Sequence, residues 1–308
     1  MTDADADADD DLAIIDAHHH FWELGHRRYP WLEDHVIPFR YGDYSALRQP
    51  SYLVDDFLRD HGRHRVVKSV HMEAEWDPRD PVGETRWLHA LHDRTGWPHA
   101  MVGQAWFGRD DIADVLAGHA AYPLVRSVRQ KPAAAPSPDA FVAGAPGSMA
   151  DPAFRAGYRL LSRHGLHYDL QTPWWHLGEA ADLARDFPDT TMILNHTGLP
   201  ADRSETGLAG WREAMATLAE QPNTAVKISG IGVAGQRWTP ELQRGVVLET
   251  IELFGADRCM VASNFPVDSL CATYDEIFAG LKKITIDLAP AERRALFHGT
   301  AARIYRPA

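Results

Sequence analysis

Short runs of apolar, often β-branched residues alternate along the chain with longer stretches whose apolar positions recur at helical spacing. The runs at 12–18, 66–75, 100–107, 124–129, 166–171, 191–196, 224–229 and 259–263 predict eight strands. The stretches at 53–61, 82–95, 112–119, 152–164, 177–186, 208–220, 240–254 and 274–283 predict helices, and 290–305 predicts one more. Asp151-Pro152 and Thr239-Pro240 are helix starts, each a capping residue followed by a proline at the first helical position. Eight strand–helix units in this length are the pattern of an α/β fold, the (β/α)₈ TIM barrel, here a single domain over 12–308.

A barrel of this kind places its chemistry at the C-terminal ends of its strands, so those ends are the places to look. They carry His18 and His20, then His71, Glu73 and Glu75, then Arg129 and Gln130, Asp169 and Gln171, Asn195 and His196, Lys227 and Ser229, and finally Ser263 and Asn264. Loops begin at strand ends and are polar for that reason alone. Imidazole, guanidinium, amine and carboxylate arriving together exceed what loop polarity requires. In an extended run, His18 and His20 project to one side and His19 to the other. The spacing alone is weak, since 17 histidines in 308 residues produce about one His-x-His by chance.

Charge and composition narrow the partners. A formal charge of −12 and the lack of a Lys/Arg block argue against nucleic acid, and the small-molecule class remains. Part of that charge lies in the Ala/Asp repeat of residues 1–11, expected to be a disordered acidic tail. No apolar run approaches the roughly 20 residues of a membrane helix, and the N-terminus is acidic where a secretory signal is basic and then apolar. Cytoplasm is the expected compartment. Cys259 and Cys271 are expected to be free thiols, and the composition is compatible with a homo-oligomer.

With these residues in place, the chain resembles the amidohydrolase superfamily, and within it the lactonase-rich branch of metal-dependent hydrolases. The resemblance rests on Ile15-Asp16-Ala17-His18-His19-His20-Phe21-Trp22, Leu194-Asn195-His196-Thr197-Gly198, Val226-Lys227-Ile228-Ser229-Gly230, Ser263-Asn264-Phe265-Pro266-Val267-Asp268 and the closing Gly299-Thr300-Ala301-Ala302-Arg303-Ile304-Tyr305. It spans nearly the whole chain. It implies a barrel hydrolase of sugar lactones or related cyclic esters, with His18, His20 and His196 at the metal positions where a metal is held.

At the end of the eighth strand the superfamily's aspartate, which takes a proton from the attacking water, is replaced by Asn264. An amide has no useful basicity, so Asn264 is left to coordinate, orient or hydrogen-bond. Asp268 and Glu75 remain as base candidates, against plainer roles as a helix cap and as a partner of Arg129. The metal stays open in two ways. Three histidines and water make a complete zinc site, and zinc suits imidazoles better than manganese does. Alternatively the reaction is metal-independent and the histidines polarise the carbonyl directly.

Arg129, Gln130, Gln171, Lys227 and Trp22 are candidates for holding the substrate, Arg129 in a bidentate manner. The loop from 21 to 52 holds enough rings to wall a pocket, and 132–147, rich in Ala, Pro and Gly, reads as a mobile lid over the same mouth. Gly230-Ile231-Gly232-Val233-Ala234-Gly235 satisfies a dinucleotide-binding fingerprint, but the next helix starts only at Thr239-Pro240, too late to present its N-terminus to a phosphate. No nucleophile elbow is present. The sequence therefore predicts a hydrolase opening the lactone of a sugar acid or small dicarboxylic acid. Two alternatives on the same scaffold are a metal-dependent decarboxylase of an aromatic or unsaturated acid, and a barrel that binds a sugar acid without turning it over.

Overall fold

The computed structural model describes residues 12–26 and 28–308, so the expected acidic tail lies outside the described residues. Eight strands, β1 (Ile14–His19), β2 (Val66–Met72), β3 (Ala100–Gln104), β4 (Val125–Gln130), β5 (His167–Leu170), β6 (Met192–Leu194), β7 (Thr224–Ile228) and β8 (Cys259–Val261), pair in sequence order. Each neighbouring pair is parallel. Beyond β8 the backbone closes the ring on β1: His20 N donates to Phe265 O at 2.7 Å and Asn264 N to His18 O at 2.8 Å. Asp16 reinforces the seam, its carboxylate accepting from Ser263 N at 3.0 Å, Ser263 Oγ at 2.6 Å and Tyr274 Oη at 3.0 Å. The expected TIM barrel is the observed fold.

Strand parity builds two apolar layers. Met101, Val128, Tyr168, Leu194, Val226 and Val261 face the surrounding helices. Ile15, Val70, Val102, Ile193, Ala225 and Met260 fill the interior, where Ala301, Ile304 and Tyr305 of the helix Thr300–Tyr305 join them. Above this plug sits a polar centre. Asp169, fully buried, accepts from Tyr305 Oη at 2.8 and 2.9 Å and from Asn195 Nδ2 at 2.9 Å, and Lys227 Nζ lies 2.9 Å from its Oδ1.

The predicted helix starts hold, since the Asp151 side chain caps Ala153 N and that of Thr239 caps Leu242 N. Two predicted helices are subdivided. The stretch 152–164 becomes Pro152–Tyr158 and a 3₁₀ turn, Leu161–His164. The stretch 290–305 carries a π segment, Ala295–Gly299, between Pro290–Arg294 and Thr300–Tyr305. The loop 21–52 contains two short elements that periodicity did not signal, Pro30–Glu33 and Ser45–Arg48. Both cysteines are free, and no helix among the described residues is long and apolar enough to cross a membrane.

Candidate active site

A bulge decides what β1 presents. Asp16 pairs with Ser69 but His19 with His71, so β1 carries one residue more than β2 over that interval. The extra residue resets the parity, and both His18 and His20 turn into the barrel mouth after Ile15 and Ala17 have already pointed inward. His19 goes the other way, its Nε2 on Ser69 Oγ at 2.8 Å and its ring against Phe57. The ring centroid of His18 lies 5.1 Å from that of His20 and 4.6 Å from that of His196, which arrives from the loop after β6.

Around this cluster lies a cavity of about 220 Å³ lined by His20, His196, Arg129, Gln171, Glu75, Lys131, Asn264 and Arg40, with Trp31, Phe39 and Leu199 among its apolar walls. Four of these residues, Glu75 (φ 58°), His196 (φ 58°), Leu199 (φ 56°) and Asn264 (φ 55°), hold left-handed backbone, which non-glycine residues adopt only when their surroundings impose it. Such conformations concentrate where a side chain must be aimed.

The three imidazoles differ in their commitments. His20 Nδ1 lies 2.8 Å from the Met72 carbonyl, which can only accept, so Nδ1 carries the hydrogen and Nε2 keeps its lone pair. His196 Nδ1 lies 3.0 Å from Ser229 Oγ. Both ring nitrogens of His18 are buried without a hydrogen-bond partner. Burial holds all three well below the ordinary histidine range, with His196 and Lys227 adding to the effect at His18, Arg129 at His20, and Arg40 and Arg129 at His196. They are neutral at neutral pH.

Arg129 is fixed by three contacts: Nε to the Glu73 carboxylate, Nη2 to Glu73 O at 2.8 Å and Nη1 to Gln171 Oε1 at 2.9 Å. A guanidinium has five N–H groups, so it still offers donors to the cavity. Glu75 is paired with Lys131 rather than with Arg129; burial pushes its carboxyl up, but Lys131 outweighs that and leaves it lowered.

Several candidates stand elsewhere than expected. Lys227 is fully buried beneath the cavity on Asp169, with its ammonium 4.7 Å from the Tyr305 ring centroid, because its strand is still inside the barrel when it turns inward. Gln130, the next residue after Arg129, takes the opposite face and accepts from Phe107 N at 2.6 Å. Trp22 is buried behind Trp31, its Nε1 on Pro50 O at 3.3 Å. His71 does not share a face with Glu75: its Nδ1 accepts from Phe21 N and its Nε2 faces Glu84 at 3.5 Å, outside the cavity. Asp268 lies behind Asn264 rather than on the wall. Its Oδ1 accepts from Asn264 Nδ2 at 2.6 Å, Tyr41 Oη at 2.9 Å and Arg40 Nη2 at 3.4 Å, and burial raises its pKa against the pull of Arg40. The segment 132–147 is tied to the loop and helix after β5 by Ala135 N to His176 Nε2 at 2.8 Å and Gly144 N to Glu179 Oε1 at 2.9 Å, and none of its residues lines this cavity.

Arg40 and Lys131 were not singled out by sequence reasoning. The signal for Arg40 was faint, a lone cation in Pro38-Phe39-Arg40-Tyr41, and its Nη1 donates to Gly230 O at 2.7 Å across the mouth. This explains the first glycine of the 230–235 motif. Gly230 has φ 57°, and a Cβ there would fall against His196 Nδ1 and 2.7 Å from Arg40 Nη2. Gly230→Ala is expected to destabilise the fold by about 1–3 kcal/mol and to lower activity, because left-handed strain and displacement of His196 act together. Thermal melting beside a rate assay checks it, and an unchanged variant would show that the loop relaxes freely.

A resident metal ion would meet the cluster in which the His18 ring centroid lies 5.1 Å from that of His20 and 4.6 Å from that of His196. Among the described residues no group of three or more His, Cys, Asp or Glu side chains is arranged to hold one. The nearby carboxylates are engaged with cations, Glu73 with Arg129, Asp169 with Lys227 and Asp268 with Arg40, and Asn264 contributes no charge. The histidines nevertheless keep the donor chemistry such an ion would use, since both ring nitrogens of His18 are buried without a hydrogen-bond partner.

A family model described as amidohydrolase matches residues 15–306. The protein y4mH of Sinorhizobium fredii is 46% identical over 296 residues, covering 96% of this chain and 99% of that one. An L-fucono-1,5-lactonase of Burkholderia multivorans is 28% identical over 305 residues, covering 94% of this chain and 95% of its own. Among solved structures, an amidohydrolase from Burkholderia multivorans with bound zinc superposes with a TM-score of 0.79 at 26% identity, covering 96% of this chain and 100% of that chain.

Proposed function

We propose that this chain, which belongs to the amidohydrolase family, opens the lactone of a sugar acid or small dicarboxylic acid. The observation that carries the reading is the tautomer of His20: with Nδ1 donating to Met72 O, the lone pair on Nε2 is the polar edge left for a cavity that Arg129 and Asn264 also line. The family and the lactonase relative support the reaction class.

Water held at Nε2 attacks the lactone carbonyl carbon, and its proton passes to His20. Charge then grows on the carbonyl oxygen, where the remaining N–H donors of Arg129 and the Asn264 amide, anchored by Asp268, stabilise it. Collapse breaks the ring C–O bond, and the leaving alkoxide takes the proton back from His20. Asp268 acts here through Asn264 and is a positioning residue. Lys131 and the spare donors of Arg129 favour a substrate that carries hydroxyls or a carboxylate.

A panel of sugar-acid and dicarboxylic-acid lactones, followed by proton release in weak buffer, tests this directly. Release with at least one of them is the expected result. Carbon dioxide from aromatic or unsaturated acids with no lactone opened would replace the reading by decarboxylation. Binding without either product would leave a sugar-acid-binding barrel.

A further inference from the structure

A second cavity, of about 290 Å³, adjoins the first and shares Arg40 and Leu199 with it. The rest of its wall is Tyr41, Pro173, Trp175, Pro200, Ala201 and the loop 230–234. The two spaces differ in kind. The first presents imidazole, carboxylate, guanidinium and ammonium groups. In the second, Arg40 is the only charged side chain among the described lining residues, and its charge is already engaged: Nη1 on Gly230 O, Nη2 on Asp268, and the guanidinium 4.4 Å from the Tyr41 ring centroid. Arg40 is thus a partition between a polar chamber and an apolar one.

The loop that walls the second chamber is held in place. A Cβ on Gly232 would lie 2.6 Å from Cys271 Sγ and 3.0 Å from Tyr41 Oη, so glycine lets the backbone press against the Tyr41 side, and Val233 and Ala234 follow as wall. Concave, mostly apolar space with aromatic faces binds by area and stacking rather than by hydrogen bonds. Water there finds few partners.

We propose that this chamber receives an uncharged apolar or planar substituent carried on the lactone ring, so that the preferred substrate is a substituted lactone rather than the bare ring. The inference rests on the lactonase reading: the ring occupies the first cavity, and the substituent passes Arg40 and Leu199 into the second. Val233 shapes the chamber without touching the catalytic cluster, and it is the position to vary.

The test compares δ-valerolactone bearing hydrogen, ethyl, butyl or phenyl at C5 in the wild-type protein, in Val233→Trp, which fills the chamber, and in Val233→Ala, which keeps it open. In the wild type, kcat/KM is expected to rise by up to about fourfold per methylene buried. Val233→Trp is expected to erase at least tenfold of that gain for the butyl and phenyl compounds while leaving the parent lactone within twofold, and Val233→Ala is expected to retain it. A wild type indifferent to the substituent, or a Val233→Trp variant that affects parent and substituted lactones alike, would overturn the chamber. Calorimetry with the ring-opened hydroxy acids separates the two readings. Tighter binding of the substituted acids without turnover of any lactone would sink the lactonase reading and leave the chamber standing, whereas equal or absent binding across the series would count against the chamber itself.

Discussion

His20→Gln is expected to lower kcat by about two to four orders of magnitude, the range for loss of a positioned proton acceptor. Glutamine keeps a polar side chain of similar reach but has no basic lone pair, so a folded variant isolates the proton transfer. The pH profile supplies a second readout. Burial first, and Arg129 after it, hold His20 well below the ordinary histidine value of 6.5. A base works only when unprotonated, so activity is present above the folded-state pKa and is lost as the pH falls through it. The acid limb of kcat therefore belongs below the usual histidine range, with a plateau through neutrality. A variant with near-normal kcat, or an acid limb at or above 6.5, would remove His20 from this role and leave Glu75 as the base to test.

The second large effect is on stability. Lys227→Met leaves Asp169 in the barrel interior without its cation, and breaking a buried pair from one side costs about 3–5 kcal/mol. Tyr305 and Asn195 still donate to that carboxylate, so the lower part of the range is expected. Denaturant midpoints measure it. The double variant Lys227→Met/Asp169→Asn is expected to recover part of the loss, because the uncompensated charge is gone. A shift under about 1 kcal/mol would mean that the pair is solvated in a way its full burial does not convey. Since Lys227 lies beneath the cavity, a change confined to KM with the midpoint unmoved would also count against its placement.

The barrel was legible in the sequence because its signals are local. Eight apolar runs, the intervening helical periodicity and two Pro-marked caps need only neighbouring residues to be read. The site was legible where strand parity holds, as at Arg129 on β4 and Gln171 just after the neighbouring β5, two residues past Arg129's partner Asp169. It was misread where the backbone leaves the regular pleat. Met72 ends β2, and the left-handed turn at Glu75 separates that side chain from His71, which a simple alternation had grouped with it. Gln130 and Lys227 failed for a different reason: one takes the opposite face, and the other lies too deep, and depth along the barrel axis leaves no trace in a pattern of period two. Arg40 and Lys131 depend on contacts to residues far away in sequence, which periodicity does not encode.

The seam between the first and eighth strands also bears on how the molecule comes into being. Asp16 and Ser263 are separated by 247 positions, and the hydrogen bonds that close the ring join those two ends of the sheet. At roughly 5–20 residues per second, a ribosome takes on the order of ten to fifty seconds to deliver the second partner after the first. Through that interval β1 has only β2 beside it, and its other edge, where His20 N and His18 O later meet the residues after β8, stays unpaired. Closing so distant a contact is the slow kind of folding step. The stretch that carries the chemistry is therefore made early and becomes enclosed late, and it is the part of a nascent chain most in need of shielding from its neighbours.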